Sequence, residues 1–271
     1  MISDWLNQSE LEVDIEEDAI TVEENSRPDN LIHFLGGEYL KSNVNPERIK
    51  RKIERLRRSA RELDSDTLRE KIELFIKKAV LPDSDRKSTR SGLFGEFLSE
   101  AVLVELDNFE RLVYKLRHRE SSNWAPKLVD ICVFKRGDPS TVCMVEVKTN
   151  SSGKDNSILC RGVESLEKAL ANKYEALDSI ISELEKQHRY DDANFIDRLL
   201  QYDEYDQYNE VCAVVDSNYW DFDAFDNLSQ DERRKSLNKL SIRVVVIDSL
   251  RKMIDDVHNK ALCIGTDLNH E

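Results

Sequence analysis

Lys127-Leu128-Val129-Asp130-Ile131-Cys132-Val133-Phe134 is followed, after the turn residues Gly137-Asp138-Pro139, by Thr141-Val142-Cys143-Met144-Val145-Glu146-Val147-Lys148. Both runs are short, apolar and rich in β-branched residues. That is the composition of buried strands, and the turn joins them as a hairpin. Alternation along the second strand puts Val142, Met144, Glu146 and Lys148 on one face. Charged groups in such strands are costly to bury without a partner or a metal ion. An aspartate on one strand and a Glu-x-Lys on its neighbour gather two carboxylates and an ammonium, a set able to surround one divalent cation.

Upstream of this hairpin, residues 92–107 are apolar on most sides and read as a buried helix, with Glu96 and Glu100 one turn apart on one face. A strand is expected over Arg111–His118, and Ser121-Ser122-Asn123 as the loop into the hairpin. After Lys148 a turn-rich loop, residues 149–157, feeds one long helix striped by Val163, Leu166, Leu170, Tyr174, Leu177, Ile181 and Leu184. A helix near 192–202, a strand at 211–215, a helix over 230–240, a strand at 242–247 and a helix over 249–260 follow. Strands alternating with helices in this way predict an α/β fold, a mixed β-sheet flanked by helices.

Asn45-Pro46-Glu47 starts a further helix, striped by Ile49, Ile53, Leu56, Ala60 and Leu63, and a second one runs from about 66 to 80, stopped by Pro82. Leu81 to Arg90 reads as a charged connector. Partial alternation at Leu11, Val13 and Ile15, then at Ile20 and Val22, fits either a marginal strand pair or an arm that orders on a partner. The expected organisation is an acidic arm at 1–30, an N-terminal helical region with a basic helix at 31–85, and the main domain at 86–271.

The chain has 271 residues, 39% of them hydrophobic and 35% charged, enough for one large folded domain with appendages. No apolar run approaches the roughly 20 residues needed to cross a bilayer, and the acidic N-terminus has no basic-then-apolar leader. The five cysteines form no C-x-x-C pair and sit largely in apolar strands, so they read as reduced core residues. A cytoplasmic location is expected.

A net charge of −14 argues at first against a nucleic-acid partner. Its distribution softens that objection. Residues 1–30 hold ten acids against one base, Arg27, whereas residues 48–61 hold eight bases against Glu54, and further bases follow at Arg86, Lys87 and Arg90. A polyanion could use Arg51, Arg55 and Arg58 on that helix, together with Lys127; a solvated helix face is the bland alternative.

A helix bearing Glu96, a strand bearing Asp130, and an adjacent strand bearing Glu146-Val147-Lys148 before a helix resemble the core of the PD-(D/E)xK nuclease superfamily. The likeness covers about residues 91–185 and implies a restriction-endonuclease-like sheet. Val129 stands where that superfamily often has proline. The resemblance implies Asp130 and Glu146 as direct ligands of Mg²⁺ or Mn²⁺, hard ions that prefer carboxylate oxygen. The Val147 carbonyl would add to the shell. Lys148 would orient the attacking water, and Glu96 would bind through water or act as general base. Read singly, Glu146 and Lys148 are a same-face ion pair worth about 0.2–1 kcal/mol, Asp130 is a turn contact, and Glu96 is a helix-dipole partner. Together they require several unrelated charges in otherwise apolar elements.

The chain length, the Gly92-Leu93-Phe94-Gly95-Glu96 helix and the later strand-helix units further resemble the HamA family, the nuclease subunit of Hachiman antiphage defence. This implies a DNA substrate and a helicase partner that restrains the nuclease, with the acidic arm docked on that partner or shielding the basic helix. No membrane association is expected. The competing readings are a non-catalytic helical interaction module and a stand-alone restriction- or repair-type nuclease. Asp221, Asp223 and Asp226 lack the glycine and final glutamate of a calcium loop, and no phosphate-binding loop or nucleophile elbow is present.

Overall fold

The computed structural model describes residues 1–59, 64–82, 86–118, 129–202 and 204–267. In chain order, a short α1 (Ile2–Trp5) leads into β1 (Leu6–Glu10) and β2 (Asp18–Glu24), and three helices follow, α2 (Leu31–Asn43), α3 (Pro46–Ser59) and α4 (Ser65–Ala79). Next come α5 (Lys87–Leu106), β3 (Phe109–Glu110), β4 (Ile131–Lys135), β5 (Asp138–Asn150), α6 (Ile158–Leu170), α7 (Lys173–Lys186) and α8 (Tyr190–Tyr202). The chain continues through β6 (Asp206–Asp216), α9 (Asp223–Ser229), β7 (Leu240–Ile247) and α10 (Leu250–Asp267).

The seven strands form one mixed sheet in the order β1-β2-β7-β6-β5-β4-β3. Strands β5, β6, β7 and β2 run parallel, while β1 and the β3-β4 end are antiparallel to their neighbours. Alternation divides the side chains as the sequence predicts. Val145 and Val147 pack with α5 and α10 on one face, and Val142 and Met144 pack with α6, α7 and α8 on the other. The mixed α/β architecture expected from the alternating pattern is the one that forms.

Several elements differ from expectation. Within residues 1–30 the strand-pair alternative forms: β1 pairs with β2, β2 pairs in parallel with β7, and Trp5 donates its indole N–H to Glu24. Ile20 and Val22 lie in β2, but Leu11, Val13 and Ile15 fall in the connecting loop and only cover the sheet face. In residues 31–79, α2 and α4 pack along α10 and share its core. No strand spans 111–118. Asn108 at φ 59 turns the chain into β3, which pairs over only two residues, and Lys115–His118 closes as a 3₁₀ turn. The long helix after 157 breaks at Ala171-Asn172, which rotates its stripe and leaves Tyr174 exposed. Residues 223–229 and 232–236 are helical where a single helix over 230–240 is expected. Helix α5 begins at Lys87, so Arg90 belongs to it instead of a connector, and Arg90 is buried against Asp255 at 3.0 Å.

Candidate active site

The hairpin of β4 and β5 turns at Arg136-Gly137, where Gly137 takes φ 83, a conformation that favours glycine. From there the ladder runs back to Ile131 opposite Val145. Strand β4 begins at Ile131, later than the sequence predicts, and Asp130 stands one residue beyond the last pair. Its side chain explains the boundary. Asp130 Oδ2 accepts the Val147 N–H at 2.9 Å, and so satisfies a donor that a strand carbonyl would otherwise take. Asp130 is thereby tied to the centre of the Glu146-Val147-Lys148 segment.

Glu146 and Lys148 share a face of β5 and pair at 2.7 Å, Nζ to Oε1. Glu146 is only 7% exposed, and Lys148 is half-buried. A buried carboxylate of this kind is retained at a cost that its ammonium partner reduces.

Glu96 arrives from the opposite face, on α5. The helix lies close to β5 because residue 95 is glycine: a Cβ there would overlap the Thr149 hydroxyl and press on Val147 Cγ1 at 3.4 Å. Glu96, Glu100 and Asp130 line one small cleft with Tyr114 and Ile131, and its free volume of about 10 Å³ suits a single water or ion. Glu100 accepts Arg111 Nη1 at 2.7 Å, and the Arg111 and Arg117 guanidinium groups lie over Tyr114 at 4.6 and 3.6 Å. Burial pushes the Arg117 pKa down, and the charge of Arg111 adds to that. In the sequence Glu100 stands out only as a face-mate of Glu96, and its one-turn spacing on a helix carrying a candidate acid is the signal that marks it.

The structure thus brings Asp130 to Val147, Glu146 to Lys148, and Glu96 to Asp130. The family model of HamA matches residues 1–261. The chain belongs to the HamA family. HamA proteins are components of Hachiman antiphage defence, a system with partner subunits. No curated protein and no solved structure matches the chain.

The other predicted positions of this HamA-family chain lie elsewhere. Arg51, Arg55 and Arg58 stand exposed on α3, which packs on α4. Arg58 pairs with Glu54 at 3.7 Å, and Arg51 turns its Nε onto the Glu47 carbonyl. Lys127 and the loop at 121–123 fall outside the described residues. Among the described residues no group of three or more acidic, imidazole or thiol side chains is arranged so as to hold a metal ion. Asp221 pairs with Lys154 at 2.7 Å, and Trp220, Phe222 and Phe225 pack ring against ring. All five cysteines are free, and burial pushes Cys132 and Cys212 up to about 12. No helix among the described residues is long and apolar enough to cross a membrane.

Proposed function

We propose that this chain is the metal-dependent nuclease of its Hachiman system, that it hydrolyses DNA phosphodiester bonds, and that a helicase partner restrains it. The observation that carries the proposal is the hydrogen bond from the Val147 N–H to Asp130, which ties one acid to the backbone between Glu146 and its ion-pair partner Lys148. Carboxylate oxygens are the donors that hard ions such as Mg²⁺ or Mn²⁺ prefer. Mg²⁺ is usually held by only one or two carboxylates, with waters and substrate phosphate completing its shell. Asp130 and Glu146 would supply those carboxylates, the Val147 carbonyl a further oxygen, and Glu96 a contact through water.

When bound, the ion supplies a Lewis acid and a water of lowered pKa. Lys148 holds its ammonium beside Glu146, where it orients the attacking water and faces the charge that builds on the phosphoryl oxygens. Glu96 takes the proton that the water loses. The water oxygen bonds to phosphorus as the bond to the leaving sugar oxygen breaks, and that oxygen takes a proton from solvent.

Plasmid DNA incubated with Mg²⁺ or Mn²⁺ and the purified chain, alone and with its co-encoded partner, tests the proposal. Degradation that stops with chelator and with Glu146→Ala/Lys148→Ala is the expected result. Cleavage surviving the double substitution in a normally folded protein would overturn the site assignment.

A further inference from the structure

A second recess opens at the same edge of the sheet, where β5 ends. Thr149 to Ser152 form its floor, the first turns of α5 one wall, and the start of α10 the other. Its free volume is about 330 Å³, at the lower end of those that hold a small ligand. It continues past Arg251 to Lys252, Asn218 and a second acid, Asp216, beside the ends of β6 and β7. The carboxyl ends of parallel strands are where open α/β sheets commonly bind ligands.

The chemistry of the recess is that of an anion site. Lys87, Arg90 and Arg251 line it against one acid, Asp255. Lys87 and Arg251 are exposed, and no ion pair holds either among the described residues. Helix α5 starts without a side-chain cap and without an acid in its first turn, so its terminal N–H groups keep their positive end toward this space.

A second observation is independent of the helix end. Arg90 is 7% exposed; its Nη2 pairs with Asp255, but its buried Nε has no hydrogen-bond partner. The hydroxyls of Ser91 and Thr149, which also line the recess, are buried without partners. Three donors left without acceptors around one cavity are unusual, since buried polar groups are nearly always paired. A phosphate group offers the acceptors they lack.

We infer that this recess binds a backbone phosphate of the substrate strand at a short distance from the cleaved bond. The inference rests on the nuclease reading above and extends it. The edge from β4, at Asp130, to β7 covers three strand spacings, roughly 14 Å. A nucleic-acid strand lying along that edge would meet the acidic site at one end and the cationic recess at the other. This moves the expected phosphate contacts from α3 to α5 and α10.

The test measures binding of a short, labelled single-stranded oligodeoxynucleotide to the full chain, with chelator present so that no cleavage is needed. Lys87→Glu/Arg251→Glu is expected to weaken binding about tenfold or more and to lower the salt slope by about 1–2. Both side chains are exposed, so folding should survive; Arg251→Gln gives a milder second variant with a smaller loss. Lys168→Glu/Lys186→Glu, on α6 and α7, should bind as wild type does. Wild-type affinity in the Lys87/Arg251 variant would overturn the inference and leave the nuclease reading standing. Lost binding in a protein that never cleaves DNA with Mg²⁺ and its partner would support the recess and sink the nuclease reading. Equal competition by inorganic phosphate alone would also overturn it, as the recess would then hold a lone anion only.

Discussion

Asp130 Oδ2 accepts the Val147 N–H at 2.9 Å, so the acid outside one strand caps the middle of its neighbour's Glu-x-Lys. The bond gives Asp130 a structural duty beside its proposed role as a metal ligand. The two duties separate by substitution.

Asp130→Ala leaves the Val147 N–H without that acceptor and should cost about 1–3 kcal/mol of stability. Asp130→Asn keeps an acceptor oxygen and should cost less than half as much. Both should abolish cleavage, because neither supplies a charged ligand. Urea denaturation alongside a plasmid assay checks this; an active Asp130→Asn protein would contradict the assignment.

The approach of α5 to β5 depends on Gly95 lying over Thr149. Gly95→Ala should destabilise by about 1–3 kcal/mol through overpacking. It should also displace Glu96 and lower activity. Thr149→Ala in the same chain removes the hydroxyl that the new methyl would meet, so part of the stability should return. A double-mutant cycle by denaturant melting measures that coupling.

Arg243 is 2% exposed and joins four elements. It contacts Glu210 on β6 at 2.8 Å, Asp107 at the end of α5 at 2.7 Å and Gln8 on β1 at 2.8 Å. Arg243→Ala would strand two carboxylates and should cost about 3–5 kcal/mol. A shift of the denaturation midpoint below that range would mean that the network relaxes into solvent.

Burial pushes His258 from 6.5 down to about 4, and the nearby Arg90 charge acts in the same direction against Asp255. The unfolded chain therefore takes up this proton first as pH falls. The neutral histidine costs nothing above about pH 6.5, and stability declines from there toward pH 4, by roughly 3 kcal/mol in all. Unfolding of His258→Gln should show a shallower loss over that window, and equal slopes would remove His258 from the account.

The hairpin carrying Glu146 and Lys148 was legible because strand alternation in an apolar run has few competing readings. The two ends of the chain's sheet were harder. The pairing of β2 with β7 joins residues over 200 positions apart, and nothing in the short Ile20-Val22 pattern specifies that partner. Helix α2 was hidden because Gly36-Gly37 interrupts its Leu31, Leu35, Tyr39 stripe, and its packing on α10 and α5 stabilises it. Strand 111–118 failed because Tyr114 stacks with two arginines instead of joining a ladder. The recess on α5 and α10 was legible only in part: Lys87 and Arg90 stand out as neighbouring bases in the sequence, but Arg251 joins them only in three dimensions.

The central claim is that Asp130 and Glu146 hold a divalent ion beside Lys148. Titration of the full chain with Mn²⁺, followed by the paramagnetic resonance of the free ion, tests it without requiring an active or released subunit. The wild-type chain should bind Mn²⁺, and Asp130→Asn/Glu146→Gln should remove that binding while its melting curve remains cooperative. Equal Mn²⁺ uptake by both proteins would contradict it.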